Sequence, residues 1–169
     1  MFEQLTISYD RLISLGSRLL GTVGSFLIFV IMCIVIGDVL TRAITGSGVA
    51  SLIEYAEVLL VGVVFLSLPY ARRTRQHVTV DAVVSRLPYN FARIVEYAGL
   101  LIAIIFLTAL AWSSVEAAIS STLAGEYRMG VERIPIWPAR IAVALGWCAL
   151  LLELVADLLR VRVLAGKPT

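Results

Sequence analysis

The chain has one histidine and two cysteines in 169 residues, and that scarcity removes several chemistries at once. His77 alone cannot supply the paired imidazoles that haem-binding helical proteins usually use, and with Asp81 it makes two ligands where a zinc site wants three or four. Its expected role is a hydrogen bond that shapes its loop. Cys33 and Cys148 fall inside apolar segments and form no Cys-x-x-Cys motif, so they read as small packing residues rather than redox groups. No phosphate-binding glycine loop, nucleophile elbow or metal-ligand cluster is present in the sequence, so no cofactor is implied and an enzyme is not expected. Charge is scarce too: 15% of residues carry it and the net value is +2, too small to argue for nucleic acid.

What is abundant is apolar surface. Hydrophobic residues make up 60% of the chain and mean hydropathy is +0.94, against about 45–50% apolar in ordinary soluble domains. The apolar residues come in uncharged runs, Leu19 to Gly37, Val58 to Ala71, Tyr97 to Val115 and Ile141 to Leu152, of 19, 14, 19 and 12 residues. A helix needs roughly 20 residues to cross a hydrocarbon core about 30 Å thick. The first and third runs reach that length alone. The second takes in Glu54 and Glu57, and the fourth takes in Arg140 and Glu153. Four such segments in one chain do not fit buried helices of a soluble domain, which would have too few charges to cover them. A cleaved signal peptide does not fit the first run, which is longer than the usual apolar stretch and starts at Leu19.

The expected fold is therefore an all-α integral membrane protein, a single membrane domain over 1–169, with spans near 19–42, 50–71, 91–116 and 138–159. Ten basic residues lie before the first span, between the second and third, or after the fourth: Arg11, Arg18, Arg72, Arg73, Arg75, Arg86, Arg93, Arg160, Arg162 and Lys167. The other side holds Arg42, Arg128, Arg133 and Arg140. The positive-inside rule then puts both termini in the cytoplasm, an N-in/C-in topology.

From Glu54 the chain reads Glu54-Tyr55-Ala56-Glu57, then a span ending Phe65-Leu66-Ser67-Leu68-Pro69-Tyr70-Ala71-Arg72-Arg73, then Gln76-His77-Val78-Thr79-Val80-Asp81 and Arg86-Leu87-Pro88. The last span opens on Ile134-Pro135-Ile136-Trp137-Pro138. This resembles the small membrane subunit (DctQ-type) of tripartite ATP-independent periplasmic, or TRAP, transporters, and it does so over nearly the whole chain. The resemblance implies a non-catalytic subunit in a bacterial or archaeal inner membrane, in its separate-chain rather than fused form. It implies two protein partners: a large multi-span membrane subunit holding the substrate and sodium sites, and a periplasmic binding protein that delivers an organic anion such as a carboxylate or sugar acid. On this reading the small subunit is a scaffold against which a moving transport domain slides.

Several residues carry expectations of their own. Asp38 and Arg42 are four apart and share a helix face, as do Glu54 and Glu57 at three apart. Charges at membrane depth usually find partners, so Asp38 with Arg42 is expected to pair locally, and Arg42 to reach Glu54 or Glu57 and staple the first two helices. Val80, Val83, Val84 and Leu87 follow helical spacing, with Thr79 as cap, Asp81 in the first turn and Pro88 as stop. With Arg72, Arg73, Arg75, His77 and Arg86 around it, this segment is expected as a short amphipathic interfacial helix touching lipid headgroups, the partner subunit, or both. Leu5, Leu12, Leu15 and Leu19 suggest a second interfacial helix at the amino terminus.

Gly21 with Ser25, Gly99 with Ala103 and Ala142 with Gly146 are small pairs that allow close helix approach. Pro138 suits the first position of the last helix, and Trp137 an interfacial aromatic belt. By the family resemblance Glu126, Arg128, Glu132, Arg133 and Trp137 form the periplasmic docking face; a solvated loop explains them equally. Two other classes stay open. One is an autonomous four-helix transporter with Glu57 as coupling acid, and the other a membrane anchor of a redox complex.

Overall fold

Apolar runs bounded by charges fold as long helices, and four of them dominate the protein. The structure is a computed structural model that describes the backbone of residues 2–48, 50–74, 89–129 and 133–165, and the side chains of 13–48, 51–74, 94–95, 98–129 and 133–158. The elements are α1 (Phe2–Thr45), α2 (Ala50–Arg73), α3 (Tyr89–Ala124), β1 (Tyr127–Met129), β2 (Arg133–Pro135) and α4 (Trp137–Ala165). Each of the four helices contains a stretch long and apolar enough to cross a membrane: Ile13–Thr45, Ser51–Arg73, Ala98–Ala124 and Trp137–Leu158. The segment expected as an interfacial helix between α2 and α3, with Arg75, His77, Asp81 and Arg86, lies outside the described residues, as does Glu132.

α1 is longer than any span requires. Its 44 residues amount to about 66 Å at 1.5 Å per residue, twice a hydrocarbon core. The leucine-bearing amino-terminal stretch runs into the first span without a break, because neither proline nor a turn sequence separates them. At its far end Gly46 takes φ 76° and its N–H bonds the Arg42 carbonyl at 3.0 Å, which ends the helix in a left-handed turn. α3 ends in the same way through Gly125, φ 56°. Its N–H reaches Thr122 O at 3.3 Å while Glu126 N–H reaches back to Ser121 O at 3.1 Å, the two bonds of a Schellman closure.

The helices are ordered in a row, α1–α2–α4–α3, rather than closed into a ring: the substantial contacts are α1 with α2, α2 with α4 and α4 with α3, with a smaller one between α1 and α4. α2 and α4 run parallel in the middle, since Gly62 faces Ala142 and Gly146 faces Phe65. Small residues set the crossings. A Cβ on Gly21 would fall 2.8 Å from the Tyr70 ring, and one on Gly24 2.5 Å from Ser67 Oγ, so α1 and α2 meet backbone to side chain. Of the three small pairs named from the sequence, those containing Gly21 and Gly146 mark contacts, whereas Gly99 has open space beside it.

The α2/α4 crossing has a particular cause. Pro69 lies inside α2 and has no N–H, so the Phe65 carbonyl four residues earlier loses its helical donor. That carbonyl is the group against which Gly146 packs, with a Cβ at 146 falling on its oxygen and 2.8 Å from its carbon. A freed carbonyl in lipid needs company, and the Cα–H of a glycine supplies a weak donor at close range. Phe65 and Trp147 stack edge to face beside it, centroids 5.5 Å apart. α3 joins α4 through Leu100, Leu107 and Leu154, with Ala103, Ile104, Leu110, Leu150 and Leu151 around them. These positions repeat every three or four residues, as in antiparallel knobs-into-holes packing.

Between α3 and α4 the chain forms a two-stranded antiparallel ribbon, Tyr127 opposite Pro135, Arg128 opposite Ile134 and Met129 opposite Arg133. Sequence spacing had suggested a loop there. Ile134 is 1% exposed and anchors the ribbon to the helix ends, while Ile136 N–H bonds Glu126 O at 3.0 Å. Ala139 and Arg140 N–H both bond Ile136 O, so Ile136 caps α4. Pro138 thereby stands second in the helix rather than first, still among the donors that lack helical partners.

Candidate functional site

Charged residues in this fold gather in two bands, and their spacing along the helices gives the thickness between them. Arg18 and Asp38 are twenty residues apart on α1, about 30 Å of helix. Glu54 and Arg72 on α2 are eighteen apart, about 27 Å, and Arg140 and Asp157 on α4 seventeen, about 25 Å. Those distances match one hydrocarbon core. One band lies at the end where α1 begins and α4 finishes, the terminal end; the other lies at the ribbon end.

At the terminal end the centre is Glu153, 1% exposed and one turn inside Asp157. Its carboxylate accepts from Arg73 Nη1 at 3.2 Å and 3.4 Å. The Ser17 hydroxyl lies between Glu153 Oε1 and the Ile13 carbonyl, the latter at 2.9 Å. Three helices, α1, α2 and α4, are thus tied at one carboxylate. Arg72 Nε donates to Asp157 at 3.3 Å, a second link between α2 and α4 with both side chains about 30% exposed. Arg72 and Arg73, expected to face headgroups or a partner, each make an ion pair within the chain while keeping part of the side chain exposed. Sequence reasoning missed Glu153, Asp157 and Ser17. The signal was present: two acids four apart on one helix face, one of them within a span, need cations, and α2 ends on two arginines.

At the ribbon end Asp38 pairs with Arg42 at 3.2 Å, its side chain 9% exposed, as the four-residue spacing suggested. Gly48 closes over them, since a Cβ there would lie 2.6 Å from Arg42 Nη2. Glu54 is half-buried on α2. Glu57 pairs with Arg128 of β1 at 2.7 Å, both about half exposed, a partner that proximity in sequence did not suggest. Glu126 pairs with Arg140 at 2.9 Å, fixing the foot of the ribbon to the first turn of α4. Arg133 is exposed, Trp137 is 39% exposed and Met129 fully so.

This arrangement can hold helices in place. Among the described residues no group of three histidine, cysteine or acidic side chains comes together. Glu57, the acid a self-sufficient transporter would need at mid-depth, stands at the ribbon end in contact with solvent-facing Arg128. Most apolar span surface faces outward: only 11%, 17%, 17% and 28% of the apolar windows of α1, α2, α3 and α4 are buried within the chain, so each helix retains a face for lipid or protein.

Comparison with curated proteins returned no match. Comparison with protein families matched residues 31–163 to the family described as tripartite ATP-independent periplasmic transporters, DctQ component.

Proposed function

The chain belongs to the DctQ component family of TRAP transporters and is a multi-pass small membrane component of such a system; from this premise we propose that it is a scaffold. It holds the large membrane subunit in the bilayer and does not itself carry substrate. The observation that supports this reading most directly is that four charges at the terminal end are paired within the chain, through Arg73–Glu153–Ser17 and Arg72–Asp157, while apolar helix faces are left outward. Internal ion pairs make a stiff row of helices, and exposed apolar faces give it something to adhere with.

The remaining parts of the proposal come from the family and from charge placement. The excess of arginines at the terminal end puts that end in the cytoplasm, in an inner membrane, and the ribbon in the periplasm. There, among the described residues, Arg133, Met129 and Trp137 are exposed contacts for a periplasmic binding protein, while Arg128 and Glu126 are paired with Glu57 and Arg140. Transport by the assembly is ion-gradient-driven, Na+-coupled uptake of an organic anion, with substrate and ion sites on the large subunit. Reconstitution tests the division of labour: liposomes holding the large subunit with this chain, supplied with binding protein and a sodium gradient, should accumulate substrate. Liposomes holding this chain alone should not, and uptake by it alone would overturn the scaffold.

A further inference from the structure

Between α1 and α2 at the terminal end lies an open cavity of about 640 Å³ that the scaffold reading does not use. Arg18 and Thr22 of α1 and Tyr70, Arg73 and Thr74 of α2 line it, with Gly21 among them. Gly21 is where the Tyr70 ring crosses α1. The hydroxyls of Thr22, Thr74 and Ser25, which also lines the cavity, already donate to backbone carbonyls, Thr22 to Arg18 O at 2.9 Å, Thr74 to Ala71 O at 3.1 Å and Ser25 to Gly21 O at 3.1 Å, so the donors left for a ligand are the two guanidinium groups and the Tyr70 phenol. Arg73 gives only one terminal nitrogen to Glu153. Arg18 has no ion-pair partner among the described residues and is exposed.

The chemistry of this cavity changes with depth. Arg18 stands about 30 Å of helix from Asp38, at the hydrocarbon boundary when Asp38 is at the opposite one, where a long arginine side chain reaches out to the phosphates. Deeper along the same face of α1, one turn past Thr22 and one past Ser25, Phe26 and Phe29 are 63% and 56% exposed, a surface suited to an acyl chain. Anion donors above an apolar wall describe an amphiphile.

We propose that this cavity binds the phosphate of an anionic phospholipid, held by Arg18 and Arg73 with the acyl chain along Phe26 and Phe29. Guanidinium and phosphate make charge-assisted, often bidentate hydrogen bonds, and a neutralised Arg18 costs the protein less at the membrane boundary than a bare one. That the leaflet is the inner one rests on the orientation proposed above; the binding site does not.

The test uses the purified full-length chain, delipidated in detergent, titrated with phosphatidylglycerol and followed by native mass spectrometry. The intact chain should retain phosphatidylglycerol in preference to phosphatidylcholine, and excess inorganic phosphate should not displace it. Arg18→Gln should weaken retention about tenfold or more, Arg18→Lys much less, and Thr22→Trp, which fills the cavity without changing charge, should weaken it as well. Circular dichroism verifies that each variant keeps its helices. Equal retention by the intact chain, Arg18→Gln and Thr22→Trp would overturn the site, and displacement by inorganic phosphate would reassign it to a soluble anion.

Discussion

Removing Arg73 should cost more than removing any other surface-reaching cation among the described residues, because its partner cannot turn to water. Glu153 has a side chain 2% exposed, while Arg73 is 22% exposed. Breaking a buried pair by deleting one member costs about 3–5 kcal/mol, and the partial access of water to this one brings the expected loss for Arg73→Ala to about 2–4 kcal/mol. Arg72→Ala should cost about 1 kcal/mol or less, since both it and Asp157 reach solvent, 31% and 29% exposed. The decisive comparison is the double variant Arg73→Met with Glu153→Leu. It removes both charges and fills their place with apolar volume, so it should lie within about 1 kcal/mol of the parent. Together with Arg73→Met and Glu153→Leu made singly it closes a cycle with a coupling of about 2–3 kcal/mol. Reversible unfolding in mixed detergent and dodecyl sulfate micelles, followed by circular dichroism, reads all four proteins. Additive losses would refute the claim that α2 and α4 are locked through this carboxylate.

Gly146→Val should destabilise the fold by about 2 kcal/mol or more in the same assay, since its side chain would enter the Phe65 carbonyl; Gly99→Ala, with open space beside it, should be neutral. Glu57→Gln breaks a half-exposed pair and should cost under about 1 kcal/mol, with substrate uptake by the reconstituted assembly unchanged; abolished uptake would restore Glu57 as a coupling acid. Arg133→Glu should weaken binding-protein docking severalfold, and more so at low salt, measured by surface plasmon resonance on the reconstituted complex.

The helices were legible in the sequence because lipid imposes a length and a composition, and neither depends on tertiary detail. The uncharged runs starting at Leu19, Val58, Tyr97 and Ile141 fall one to a helix. Helix partners were less legible. The spacing of Asp38 and Arg42 revealed a local pair, since four residues is one turn. No local rule links Glu57 to Arg128, 71 positions on, or Arg73 to Glu153, 80 positions on. The second exists because α2 and α4 sit side by side, the first because the ribbon leading into α4 meets the start of α2, and helix order is set by crossings such as Gly146 on Phe65. The ribbon was hidden for another reason: three residues per strand are too few for alternation to show against a polar loop. Glu153 is the instructive omission. Read as a charge near the end of a short span, it is the residue around which three helices meet.

The central claim, that this chain is the scaffold of a larger transporter, is tested most directly by affinity purification of the tagged chain from its native membrane in mild detergent. A large multi-span subunit should accompany it in equimolar amount and remain through size-exclusion chromatography. Recovery of the chain by itself, folded and helical, would contradict the account.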